Sequence, residues 1–123
     1  MDLFLVHAYQ DQEYASGLED MLSGRGLVVG EPLSLWPGQR LLPPIDGRLH
    51  ESRCAVVIVS KEFLKFSFSR KELDGLTTRN KVIPILSDLG EEVVSKHSPR
   101  LAVAAFSGSL SNRLVRILRP EEE

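Results

Sequence analysis

The run Ala55-Val56-Val57-Ile58-Val59 restricts this chain more than any other feature. It is apolar throughout, and β-branched from Val56 onward. It does not alternate with polar residues, so a strand built from it has no face for water. Such a strand belongs at the centre of a sheet that is covered on both sides. Leu3 to Val6 is a second short run of this kind. Val82-Ile83-Pro84-Ile85-Leu86 reads as another strand. Pro84 lacks a ladder donor, which places that strand near a bulge or an edge. Leu27-Val28-Val29 supplies the second strand in chain order, and Leu101 to Phe106 a weaker fifth.

Helical patterns lie between these runs. Asp11 can cap a helix whose apolar stripe is Tyr14, Leu18 and Leu22, with Ala15 and Met21 beside it. Gly24 and Gly26 stop it. Glu31 to Leu42 carries two prolines and a glycine and reads as a long loop. Ile45 to Leu49 forms a short helix that Pro43 or Pro44 can start. The helix opening on Arg70-Lys71-Glu72-Leu73 buries Leu73 and Leu76. Leu110, Leu114 and Ile117 or Leu118 give the last helix its apolar face.

Strands that alternate with helices through short links imply a parallel sheet with helices on both faces. In a chain of 123 residues, five strands favour an α/β, flavodoxin-like three-layer sandwich, with a five-stranded parallel sheet of order 2-1-3-4-5.

Composition narrows the function classes. Hydrophobic residues make up 42%, enough for one core. No apolar run approaches the ~20 residues of a spanning helix, so no membrane contact by this domain is expected. A net charge of −2 carries no electrostatic footprint for nucleic acid. The single cysteine, Cys54, excludes an internal disulfide and fits a reducing, cytoplasmic setting. No signal-peptide pattern precedes the first strand. The chain reads as a domain from a longer protein, with residues 1–119 forming the domain. Residues 120–123 form an acidic tail or the start of a linker.

Open α/β sheets place ligands at the carboxyl ends of their strands. A phosphoacceptor receiver needs an acidic cluster after the first strand and an aspartate after the third. Here those places hold His7-Ala8-Tyr9 and Ser60. A flavin-binding Ser/Thr/Gly/Asn loop, a P-loop and a GxGxxG are all missing. His7, His50, His97 and Cys54 lack metal-ligand spacing, so no metal site is expected. Glu72 remains, close in sequence to the carboxyl end of the central strand.

Several further segments carry a family resemblance. Asp2-Leu3-Phe4-Leu5-Val6-His7-Ala8 is similar to a first box near D-V-F-I-S-H-A. Leu35-Trp36-Pro37-Gly38 is similar to an L-x-x-G loop after the second strand. Ile45 through Ser52-Arg53 resembles a helix ending in Ser-Arg, and Val56 to Ser60 a third strand with its closing serine. Phe68 to Leu73 is similar to a W-x-x-x-E-L element with phenylalanine for tryptophan. His97-Ser98-Pro99-Arg100-Leu101-Ala102 resembles an S-P-x-L-A segment. In this order and spacing, nearly the whole chain resembles a TIR (Toll/interleukin-1 receptor/resistance) domain.

The resemblance implies two possible functions. Some members cleave NAD+ at the nicotinamide–ribose bond, and some of these form cyclised ADP-ribose. Others act as scaffolds through TIR–TIR contacts alone. By resemblance the catalytic role falls on Glu72. Substrate contacts fall on His7, Ala8, Tyr9, Glu31, Leu35, Trp36, Gly38, Gln39, Arg40 and Phe68. NAD+ is then substrate, with no further cofactor. Other TIR domains are the expected partners, in a homo-oligomer or filament, in innate immune or stress signalling. Three positions depart from the pattern. Val6 replaces a serine, Gln39 an acidic residue, and Phe68 a tryptophan.

Each residue also has a plainer reading. Ser69-Arg70-Lys71-Glu72 fits the S-x-x-E capping box, in which the carboxylate serves its own helix. His7 can bond nearby backbone instead of a ligand. Trp36 is either a pocket wall or a docking residue for another subunit. Phe63, Phe66 and Phe68 read as packing. Arg113, Arg116 and Arg119 read as a solvated basic stripe.

Overall fold

The computed structural model describes residues 1–87, 91–106 and 113–114. Its centre is β1 (Leu3–Ala8) beside β3 (Cys54–Val59), and every residue of both strands is buried. β2 (Leu33–Leu35) pairs with the far side of β1, and β4 (Val82–Leu86) with the far side of β3. All pairings are parallel, and the order among the described residues is β2-β1-β3-β4.

Alternate residues of the strands feed two cores. Phe4, Val6, Ala8, Ala55, Val57 and Val59 face one side. They pack against α2 (Leu42–Arg48), α3 (Lys61–Leu64), α4 (Arg70–Thr77), α5 (Glu91–His97) and α6 (Pro99–Phe106). Leu3, Leu5, Cys54, Val56, Ile58 and Ile83 face the other side, against Ala15 and Leu22 of α1 (Gln12–Gly24) and against Leu114. Burial on both faces explains the unbroken apolar runs, since each such side chain contributes about 1.5–3 kcal/mol once removed from water. The expected three-layer α/β arrangement and the central place of Ala55–Val59 are therefore found. Among the described residues, no helix is long and apolar enough to cross a membrane.

Four expectations need correction. The second strand is Leu33–Leu35, inside the stretch expected to be loop. Leu27-Val28-Val29 makes only one bridge to β1, Val29 with Leu3, and Val28 is exposed. The pairing breaks after Gly30, whose amide still donates to the Leu3 carbonyl at 2.8 Å, because Pro32 has no N–H to offer a ladder. The register resumes at Leu33 opposite Val6.

The buried stripe of α1 is Ala15, Leu18 and Leu22. Tyr14 and Met21 are exposed. Steps of three and four hold one face more tightly than two steps of four, so the helix is turned toward Ala15. Asp11 precedes α1 without capping it by a side-chain bond. Its carboxylate accepts instead from the Ser60 hydroxyl.

Leu101 to Phe106 is helix, not a fifth strand. The buried Ser98 hydroxyl accepts from the Leu101 amide at 3.1 Å, which caps α6, and Pro99 opens it. Leu101 and Ala102 are buried there. Three alanines in eight residues favour helix over strand. The sheet thus has four strands among the described residues. Of the last helix, Leu114 is helical and buried as expected. Leu110, Ile117, Leu118, Arg116, Arg119 and the tail 120–123 lie outside the described residues. Arg113 is half-buried, and its Nη1 donates to the Pro84 carbonyl at 2.9 Å on β4, the strand at that end of the described sheet.

Candidate functional site

β1, β2 and β3 end side by side, and three chain segments leave from that rim. Tyr9–Asp11 follows β1 as a single 3-10 turn. The turn Trp36-Pro37-Gly38-Gln39 follows β2. The Gln39 amide donates to the Trp36 carbonyl at 3.2 Å, and Gly38 has φ +88°. Proline second and a positive-φ glycine third are the requirements of a type II turn. The Gln39 side-chain oxygen accepts from the Trp36 amide at 2.6 Å. An acidic residue would make the same bond, so the departure at Gln39 keeps this acceptor.

The third segment runs from Ser60 through α3 to α4. Ser60 caps α3, and Ser69 caps α4. Between them Ser67 adopts φ 56°, and Phe66 before it meets Tyr9 at the rim. The Ser69 hydroxyl accepts from the Glu72 amide at 3.1 Å. Glu72 Oε1 accepts in return from the Ser69 amide and hydroxyl, both at 3.2 Å. The capping box is therefore present. Glu72 Oε2 has a longer-range partner, the Leu41 amide, at 3.3 Å.

Electrostatics at Glu72 follow from this geometry. Partial burial pushes its pKa up. The Ser69 and Leu41 amides, the Ser69 hydroxyl and the Arg40 charge together outweigh burial and hold it below its ordinary value. The half-buried carboxylate borders a cavity of about 400 Å³, lined by Gln39, Arg40, Leu42, Ser69, Lys71 and Glu72. That volume falls within the range of small-molecule pockets. One carboxylate and two cations line it.

Beside the cavity runs a row of aromatic rings. Trp36 stacks on Tyr9 with centroids 4.3 Å apart and planes 5° from parallel. Tyr9 meets Phe66 at 6.3 Å, Phe66 meets Phe68 at 5.8 Å, and Phe68 meets Phe63 at 5.4 Å. Phe63 is fully buried, while Trp36 is 54% exposed. The row thus runs from the core out to solvent.

Not all of the expected site residues meet. Gln39 and Arg40 share the cavity with Glu72. Tyr9, Trp36 and Phe68 belong to the adjoining aromatic row, and Gly38 shapes the turn. His7, Ala8 and Leu35 are buried in the sheet. His7 Nδ1 lies 2.7 Å from the Ala8 carbonyl, so that nitrogen carries the proton and donates. Glu31 lies between the pairs Leu3–Val29 and Val6–Leu33, beside the middle of β1 and back from the rim. Its carbonyl accepts from the Arg48 guanidinium, which also lies over the Phe4 ring.

A family model described as TIR domain matches residues 3–116. The chain belongs to the TIR domain family. Among curated proteins it is 33% identical to an NAD(+) hydrolase, PdTIR, of Paracoccus denitrificans, over 82% of this chain and 36% of that protein. It is 30% identical to the NAD(+) hydrolase TcpA of a Theionarchaea archaeon, over 96% of this chain and 40% of that protein. It is 32% identical to the 2′ cyclic ADP-D-ribose synthase AbTIR of Acinetobacter baumannii, over 82% of this chain and 40% of that protein. The chain thus spans about two fifths of the length of these relatives. Among solved structures, the TIR domains of the activated Roq1 resistosome, which directly recognizes the pathogen effector XopQ, share the fold. They match with a TM-score of 0.56 at 22% identity, over 98% of this chain and 79% of that one.

Sequence reasoning left four residues out of the site of this TIR domain: Leu42, Ser69 and Lys71, which line the cavity, and Leu41. Lys71 lines the cavity, and its signal was its place beside Glu72. Leu41 contributes a backbone amide from 31 residues away, and no side-chain pattern announces a backbone donor.

Proposed function

We propose that this TIR domain cleaves NAD+ at the nicotinamide–ribose bond when copies of it assemble, in innate immune or stress signalling in the cytoplasm. The observation that carries the reading is the ionised Glu72 at the strand-end rim, beside a cavity that also holds Arg40 and Lys71. The relatives' names support it.

Nicotinamide leaves as a neutral molecule from a cationic ring, so no general acid is needed. The bond between the ring nitrogen and the ribose breaks, and its electron pair goes to nicotinamide. Positive charge develops on the ribose, as in other glycosyl transfers. The Glu72 carboxylate stabilises that charge and orients the ribose hydroxyls. Water then adds and releases a proton, giving ADP-ribose, or a group of the same molecule adds and gives a cyclised product. Arg40 and Lys71 match the two negative charges of the pyrophosphate. The aromatic row offers an apolar wall for a planar base.

The test is nicotinamide release from NAD+ by bead-clustered protein, with Glu72→Gln as the variant. Glutamine can complete a capping box, so it removes the charge while keeping the helix start. Turnover that disappears in Glu72→Gln supports the reading, and equal turnover removes Glu72 from it. One observation favours the alternative, a scaffold acting through TIR–TIR contacts alone. Both Glu72 oxygens already serve backbone amides. Assembly without any nicotinamide release would establish that alternative.

A further inference from the structure

The cavity beside Glu72 has two walls from separate parts of the chain. Gln39, Arg40 and Leu42 come from the turn after β2 and the start of α2, and Ser69, Lys71 and Glu72 from the start of α4. At the cavity itself the Leu41–Glu72 bond joins them, at a long 3.3 Å. Behind the cavity the two helices are fastened more firmly. Arg79 donates from Nε to Asp46 Oδ1 at 2.6 Å and from Nη2 to Asp46 Oδ2 at 2.8 Å. This is the two-pronged geometry in which guanidinium and carboxylate bind best. Arg79 Nη1 also donates to the Gly75 carbonyl at 2.7 Å, which ties the same guanidinium to α4. Between fork and cavity, Leu42 packs directly on Gly75. A Cβ built at Gly75 would stand 2.6 Å from Leu42 Cδ1 and 3.3 Å from Arg79 Nη1. Three pairs, 41 with 72, 42 with 75 and 46 with 79, therefore form one seam in matching order along α2 and α4 and the residues that flank them.

From this geometry we infer that Asp46, Gly75 and Arg79 are positioning residues for the Glu72 cavity. The fork holds α2 against α4, the missing Cβ lets Leu42 seat, and together they set the gap between Arg40 and Glu72. None of the three lines the cavity. The inference deepens the NAD+ reading and rests on it for its catalytic consequence. Its structural content stands apart from catalysis.

Two variants test it in the full chain. Arg79→Gln removes the charge and one prong of the fork. Gly75→Ala displaces Leu42, a wall residue, without touching a charge. Val56→Ala, in the core on the opposite face of the sheet, serves as the control for general loss of stability. In the clustered nicotinamide-release assay, both seam variants are expected to raise KM or lower kcat by roughly tenfold to a hundredfold, the scale of a misplaced site. The control keeps KM within about twofold at comparable loss of Tm. A seam variant with unchanged kinetics, or a control that moves KM equally, overturns the inference. Amide exchange on the protein without NAD+ gives a second readout. The Leu41 amide should lose protection in both seam variants while the Val57 amide at the sheet centre keeps its own. Unchanged Leu41 protection overturns the seam even if wild type is silent toward NAD+, whereas a silent wild type with Leu41 protection lost removes only the catalytic reading.

Discussion

The Trp36 indole lies flat on the Tyr9 ring, 4.3 Å away and within 5° of parallel. One face of the indole is thus already covered by the chain's own tyrosine, and the exposed remainder points to solvent. Trp36→Ala should therefore cost the fold little, since a stacked pair adds about 0.5–1.5 kcal/mol beyond its buried area. The expected outcome is a small drop in melting temperature with a larger loss of assembly, read by light scattering. A large drop in melting temperature with assembly intact would place Trp36 in the core and end its docking role.

Glu72 serves both helix and cavity, and its variants separate the two. Glu72→Ala loses the reciprocal bonds with Ser69, a cap worth about 1 kcal/mol, equivalent to roughly 4 °C in a domain of this size. Glu72→Gln should keep most of that stability and still abolish nicotinamide release. Thermal melts beside the release assay check both, and retained turnover in Glu72→Gln would contradict the assignment.

The same carboxylate makes stability depend on pH. Burial raises its pKa, but the Ser69 and Leu41 bonds and Arg40 bring it below the ordinary 4.5. Asp46 shifts the same way, mainly through its bond to Arg79. A folded-state pKa below the unfolded one contributes stability above the unfolded value, and that stability is lost as pH falls through the folded value. The small melting-temperature gap left between wild type and Glu72→Gln should hold at neutral pH and close as pH falls from the ordinary 4.5 through the lowered folded value. A gap that stays constant across that range would show that the Glu72 charge contributes nothing to the fold.

Two glycines predict opposite signs. Gly38 has φ +88° with open space around it, so Gly38→Ala meets strain rather than collision. The left-handed backbone should cost it about 1–2 kcal/mol. Gly47, inside α2, has equal space and no positive φ. Gly47→Ala should gain about 0.5–1 kcal/mol from helix propensity and reduced unfolded-state freedom. Denaturant titrations decide both, and a shared sign would refute the backbone argument.

Cys54 lies in the sheet, its Sγ 3.6 Å from the Asp2 carbonyl. Burial, helped by the Asp2 charge, pushes its thiol up to about 12. Alkylation of the native protein at neutral pH should be slow and limited by opening of the fold. Rapid labelling without denaturant would show the amino end of β3 to be open. A folded-state thiol raised this far also means that stability present below the unfolded value is lost as pH rises above it.

Local pattern was enough for β1, β3 and β4, because runs buried on both faces have no other place to go. It was enough for the Ser69–Glu72 box, because a cap needs only its own four residues. It located Gln39 and Arg40 near Glu72 only through the family resemblance. Tertiary contact decided the rest. β2 sits at Leu33–Leu35 because pairing resumes there after Pro32, and Leu101–Phe106 is helical because Ser98 caps it and Leu101 meets the core. The partner of Glu72 Oε2, the Asp46–Arg79 fork and the Tyr9 face beneath Trp36 join residues that only folding brings together. Periodicity encodes which side of an element is apolar. Which distant donor meets which acceptor depends on how those sides close on one another.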